Sequence, residues 1–322
     1  MDKMRPYVYY LKKILSMIIT LFVVAFLVFA AFEIIPGDVA TSMLGSEATP
    51  QKVAALKERL GLDKPFLTRF FTWLISFVKG DLGVSYTYSM PVSQVIASKL
   101  PITAVMSLMA FLITVVVSVP LGVFMAKHKN SRADKCLFMT NQVIMAIPSF
   151  FLGILITYVF GLVLKLFKPG GYISYTQDVA GFISYLIFPA IAIALPKIAM
   201  CVKLLRNSIL MEGKKDYIRT AYSRGLSTTE VLYRHALRNA IMPVITFLGM
   251  TLTDMIAGSI VIEQVFNIPG LGRILLTSIS RRDYPIVEAI ILIIATTVLI
   301  VNFIVDILQR IIDPRTRDKS EN

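Results

Sequence analysis

Charge is scarce in this chain. Only 16% of its 322 residues are Asp, Glu, Lys or Arg, against about 25% in soluble domains. That deficit excludes an ordinary water-soluble globule. Histidine is scarcer: His128 and His235 are the two present, both on segments expected to be cytosolic. Cys136 and Cys201 form no CxxC or Cys/His cluster, so neither a metal site nor a disulfide framework is indicated. At the ends of apolar segments they read as small apolar fillers. The phosphate-loop pattern GxxxxGK[ST] is absent, since Gly213-Lys214-Lys215 lacks the upstream glycine and the hydroxyl. HExxH and GxSxG are missing too. The chain is expected to hold no nucleotide, metal or other cofactor of its own and to catalyse nothing.

What is present is apolar, with 56% hydrophobic residues. A bilayer core needs about 20 apolar residues in a helix. Six segments meet this: Ile14 to Ile35, Ile102 to Ala126, Cys136 to Leu164, Ser184 to Leu205, Ala240 to Ile262 and Pro285 to Leu308. The expected fold class is all-α: a polytopic membrane protein with six transmembrane helices over 14–308, flanked by short tails, 1–13 and 309–322. The first span has a basic start and a possible Val28-Phe29-Ala30 cleavage site. Its apolar core exceeds the ~7–15 residues of a signal peptide, so it is expected to stay.

The formal charge of +13 suits nucleic acid until its distribution is read. Twenty of the 33 basic residues fall in four segments that a six-span chain places on one side. Those are the N-terminal tail, the turn from Lys127 to Lys135, the stretch from Lys203 to Arg238 and the C-terminal tail. The positive-inside rule puts them, and both termini, in the cytosol. The basic excess is topological, and nucleic acid is not an expected partner.

On the other side, 36–101 is the long loop. Thr49 caps a helix with Pro50 at its first position and Gly61 as its stop. Phe66, Phe70, Phe71, Trp73, Leu74 and Phe77 then make an aromatic amphipathic stretch. It suits either the headgroup layer or packing onto the spans. Gly80-Asp81-Leu82-Gly83 marks a turn. Glu263 to Pro285 reads as a re-entrant turn plus a short helix at the outer mouth, where Pro269, Gly270, Gly272 and Arg273 are candidate pathway residues.

Ionisable groups inside the spans are few. Lys197 and Asp306 lie within reach of the interface and are expected to snorkel or cap. Asp254 lies near mid-span, where a lone charge is costly. It is either a pathway group that meets cargo or a protonated or paired carboxyl between helices.

The most informative stretch is the basic segment 206–240. Lys214 to Leu226 predicts a short amphipathic helix ending at Gly225. Ser227 and Glu230 are spaced as a capping box for a second helix running toward Asn239, and Pro243 opens the next span. Two short helices across the cytosolic face make a rigid peg able to transmit force from a partner protein.

This peg resembles the signature of ABC importer permeases, in the version of the dipeptide/oligopeptide/nickel branch. Asp216-Tyr217, Arg219-Thr220-Ala221, Gly225-Leu226, Val231, His235 to Ala240 and Pro243 carry the likeness. So do Pro36-Gly37-Asp38, Leu60 to Pro65, Gly80 to Gly83, Glu263 to Phe266, Pro269 to Arg273, Arg282 to Pro285 and Asp313-Pro314-Arg315. Glu33 departs from the basic or polar residue expected there. The resemblance covers nearly the whole chain and points to the first of the two permease subunits. It implies a type I ABC importer transmembrane fold in a bacterial cytoplasmic membrane. The implied partners are a second, homologous permease, two cytosolic ATPases that bind ATP and Mg, and an extracytoplasmic peptide-binding protein. The implied cargo is oligopeptides or dipeptides, the alternative being nickel, a metallophore or glutathione. By the same resemblance, Asp216, Tyr217, Thr220, Ala221, Arg224, Gly225 and Leu226 form the coupling helix that seats in an ATPase. A secondary transporter or channel would need a coupling-ion site and have little use for such a peg, and a peptide-sensing receptor would bind peptide without ATP-dependent accumulation.

Overall fold

The structure, a computed structural model, describes residues 5–34 and 39–312. The motifs Pro36-Gly37-Asp38 and Asp313-Pro314-Arg315, and the tail residues 1–4 and 313–322, lie outside the described residues. In chain order the helices are α1 (Arg5–Ile34), α2 (Val39–Leu44), α3 (Pro50–Leu60), α4 (Phe66–Val78), α5 (Val92–Lys127), α6 (Arg132–Ala146) and α7 (Ser149–Ile156). They continue with α8 (Val179–Glu212), α9 (Asp216–Ser223), α10 (Thr228–Glu230), α11 (Leu237–Ala240), α12 (Met242–Val265), α13 (Leu271–Ser280) and α14 (Tyr284–Ile312). Wide π turns over Thr157–Val163 and Val231–Ala236 extend α7 and join α10 to α11.

Among the described residues five helices are long and apolar enough to cross a membrane, or six if one bent pair is a single span. That pair corrects the expectation of a continuous third span from Cys136 to Leu164. α6 and the segment from Ser149 meet at 106°. Pro148 has no N–H to donate and pushes its predecessor out of the helical region, and Ile147 is accordingly extended (φ −90°, ψ 125°). Other boundaries move outward. α1 starts at Arg5, within the stretch expected as a tail. α5 starts at Val92, inside the expected 36–101 loop, and α14 runs past residue 308.

The chain divides into two compact units, one of residues 1–102 and 269–300, the other of 103–268 and 301–322. In the first, α3 has the expected ends. Thr49 Oγ1 accepts from the Lys52 N–H, and Gly61 stops the helix at φ +68°. α4 sorts its residues by face. Phe66, Phe70 and Trp73 lie against Phe26 and Phe29 of α1 with ring centroids between 5.4 and 5.9 Å, while Leu67, Phe71, Ile75 and Val78 stay exposed. Phe70 is fully buried with Ala25 and Leu292. The aromatic stretch is thus a packing element on one side and an exposed apolar face on the other.

Asp283 clamps this unit. It is fully buried, yet its carboxylate accepts from Ser85 Oγ at 2.5 Å, the Tyr86 N–H at 3.1 Å and the Thr87 N–H at 3.0 Å. Burial, then the Glu288 and Asp283 carboxylates, push the neighbouring Tyr86 phenol above its ordinary range. Asp283→Ala is expected to strand these donors and cost about 3 kcal/mol or more, read as a lowered thermal midpoint in detergent. A midpoint equal to wild type would refute the clamp.

In the second unit α8 is central and packs on α6, α7 and α12. Pro189 and Pro196 both lie inside α8 without ending it. Toward its C-terminal half, Val123, Ala126, Cys201, Leu205, Ile209, Leu232, Ala240 and Val244 form one apolar cluster. That cluster seats the start of α12 and the basic segment on α8.

Candidate functional site

The basic segment folds as its pattern predicts. Ile218 and Ala221 recur at helical spacing and are buried with Val231 and Ala236, with Leu226 packed on the same cluster. α9 ends in a Schellman turn: the Gly225 N–H donates to the Tyr222 carbonyl at 2.9 Å and the Leu226 N–H to the Ala221 carbonyl at 3.4 Å. Gly225 sits at φ +81°, a conformation only glycine adopts without penalty. Ser227 then opens the second helix. Its Oγ accepts from the Glu230 N–H at 3.3 Å, and its own N–H donates to Glu230 Oε2 at 2.9 Å. The backbone N–H and hydroxyl of Ser227, aided by Arg234, hold the Glu230 carboxyl below its usual range.

A buried carboxylate fixes the root of this element. Glu212, at the end of α8, accepts from Tyr217 Oη at 2.5 Å and pairs with Lys215 Nζ at 2.7 Å. Asn239 Nδ2 donates to the same Tyr217 oxygen at 2.9 Å. Burial and then Glu212 push the Tyr217 phenol upward. Below it, Arg206 grips Asp134 of α6 with two bonds, Nε to Oδ1 at 2.8 Å and Nη2 to Oδ2 at 2.7 Å. The Asp134 side chain is 2% exposed and that of Arg206 13%. The Asn130 N–H gives Asp134 a further donor at 2.9 Å, and the guanidinium lies over the Phe138 ring.

The seven residues expected to form the docking surface therefore divide. Asp216, Thr220, Arg224 and Gly225 are exposed, although the Thr220 hydroxyl turns back to the Asp216 carbonyl at 3.1 Å. Ala221 is buried and Leu226 half-buried, so they hold α9 in place from beneath. Tyr217 exposes its ring while its hydroxyl is engaged inward. Arg219 and Tyr222 add to the exposed face.

At mid-span, Lys197 of α8 places Nζ 2.7 Å from Oδ2 of Asp254 on α12. This corrects the expectation that Lys197 snorkels or caps at the interface. With α8 packed on α12, the nearest counter-charge is across the helix pair. Asp254 remains 61% exposed on its side chain. The other pathway candidates belong to the first unit. Gly270 and Gly272 are buried at the start of α13, and Pro269 and Arg273 are half-buried. Among the described residues no three His, Cys, Asp or Glu side chains gather as a metal-binding group.

The family profile described as binding-protein-dependent transport system inner membrane component matches residues 118–318, and its N-terminal counterpart matches 7–108. The chain belongs to this family. The permease is similar to a putative peptide transport system permease protein of Brucella abortus, at 38% identity over 95% of this chain and 98% of that one. It is similar to the glutathione transport system permease protein of Escherichia coli, at 35% identity over 97% of this chain and 99% of that one. Similarity to an oligopeptide transport system permease protein of Bacillus subtilis is 34%, over 95% and 98% of the two chains. The protein is thus an all-α, multi-pass permease component of an ABC transporter, not an enzyme, and ATP is hydrolysed by separate subunits.

Sequence reasoning missed Glu212 and the Arg206–Asp134 grip as parts of the permease's peg. The i,i+3 spacing of Glu212 and Lys215 was one available signal. The 72 residues between Asp134 and Arg206 offered none.

Proposed function

We propose that this permease is half of the translocation pathway of an importer for oligopeptides or dipeptides. Its partners in this reading are a second, homologous permease, two cytosolic ATPases carrying ATP and Mg, and an extracytoplasmic peptide-binding protein. The tails 1–13 and 309–322 and the segment 206–240 lie in the cytosol, and 36–101 lies outside. The observation that carries the reading is the peg: α9 is locked on the π turn Val231–Ala236 by its own apolar cluster and on α8 by Glu212. An element so braced moves as a unit with α8, which carries Lys197 and ends at that peg. Asp216, Thr220, Arg224 and Gly225 meet the ATPase, while Tyr217, Ala221 and Leu226 set their angle. ATP-driven closure of the ATPases favours one of two permease states, and hydrolysis releases it. Asp254, Pro269, Gly270, Gly272 and Arg273 are assigned to the pathway.

The Escherichia coli relative favours glutathione as a second reading of cargo, and nickel or a metallophore belongs to the same architecture. The assembled complex in proteoliposomes, offered labelled di-, penta- and octapeptides, glutathione and Ni²⁺ with and without ATP, decides between them. ATP-dependent peptide accumulation is the expected result. Uptake of glutathione, Ni²⁺ or a chelate alone would replace the cargo, and flux without ATP or partners would defeat the coupling role.

A further inference from the structure

α12 leaves one face uncovered, and that face carries a charge. Met250, Asp254, Ala257, Val261 and Gln264 are its exposed positions between residues 250 and 265. Their alternating steps of four and three keep them on one stripe. Asp254 lies halfway along a helix apolar enough to cross a bilayer. Ionisable side chains at that depth face a bundle interior or a water-filled cavity rather than lipid tails. The stripe, with Asp254 and Gln264 on it, therefore does not face hydrocarbon.

Lys197 sets the net charge at this point. Its Nζ lies 2.7 Å from Asp254 Oδ2, and its side chain is 23% exposed against 61% for Asp254. The carboxylate is the member that cargo can reach, and the ammonium stands behind it. A passing peptide carries an ammonium, a carboxylate and the charges of its side chains. A lone Asp254 would retain cationic cargo and repel acidic cargo, and a lone Lys197 would do the reverse. Both effects are large where the dielectric is low.

We propose that the Lys197–Asp254 pair is a built-in neutralising element of the translocation pathway, which lets peptides of either sign pass mid-membrane. A cargo ammonium takes the place of Lys197 at the carboxylate, one ion pair replaces another, and cargo without a positive charge meets a pair that sums to zero. This inference rests on the peptide-importer reading.

The test is uptake by the complete reconstituted importer of three tripeptides with Lys, Ala or Glu at the central position. The same binding protein serves every variant, so its own preference cancels when each variant is compared with wild type. Lys197→Met is expected to raise the Lys-to-Glu uptake ratio about tenfold, and Asp254→Asn to lower it about tenfold. The double variant K197M/D254N should return the ratio to the wild-type value. Unchanged ratios in single variants that still transport would overturn this inference alone. A wild-type complex that imports none of the three would overturn the peptide reading and this inference with it. Should the single variants fail to insert, Asp254→Cys in a chain with Cys136→Ser and Cys201→Ala decides. A membrane-impermeant methanethiosulfonate reagent is expected to label it, with protection by cargo peptide. An unlabelled thiol would place the stripe against lipid or a second subunit and overturn the proposal.

Discussion

Arg206→Met is expected to lower the stability of the isolated permease by about 3–5 kcal/mol. The reason is the carboxylate it leaves behind. Asp134 is 2% exposed and takes both of its strongest bonds from Arg206. With the guanidinium gone, the Asn130 N–H, four residues away, is the donor left to the carboxylate among the described residues. Asp134→Asn added to Arg206→Met removes the stranded charge and keeps an acceptor for Asn130. That double variant should recover much of the loss. Thermal unfolding in detergent reads both. If the single variant melts with wild type, the pair contributes nothing to the junction of α6 with α8.

The second large effect concerns transport rather than stability. Gly225→Val is expected to abolish ATP-dependent uptake while leaving membrane insertion intact. A Cβ at Gly225 meets no atom within 4 Å, so crowding is not the obstacle. The obstacle is φ +81°, which costs an ordinary L-residue about 1–2 kcal/mol and a β-branched one more. Relaxing it breaks the Schellman turn and turns Arg224 and Asp216 away from their present bearing. Gly225→Asn should keep much of the uptake, because asparagine tolerates the left-handed region. Wild-type uptake by the valine variant would mean that this turn does not aim the peg.

Local chemistry made much of this chain legible. Thr49, Pro50 and Gly61 mark α3, and Ser227 with Glu230 marks the second peg helix, because a cap is read from residues that touch within one turn. Gly225 was legible for the same reason. Apolar length located the spans but not the break at Ile147–Pro148, since hydropathy is blind to a missing N–H. Proline alone does not mark such a break either, for Pro189 and Pro196 sit within an unbroken α8. Charge pairing was the least legible. Lys197 and Asp254 are 57 residues apart, and each taken singly looks like an isolated intramembrane charge. The sharing of labour within the peg, with Ala221 and Leu226 beneath and Asp216 and Arg224 above, follows from helical periodicity once the packed side is known.

The Asp283 clamp also has a meaning in time. Ser85 and Asp283 are separated by 198 residues of chain. At synthesis rates of about 5–20 residues per second, the segment from Ser85 to Thr87 leaves the ribosome roughly 10–40 s before its anchor. Throughout that interval its backbone N–H groups have no carboxylate to bind. Formation of the clamp therefore waits until the rest of its unit ahead of α14 has been made, and a chain arrested ahead of Asp283 has the loop without the residue that holds it.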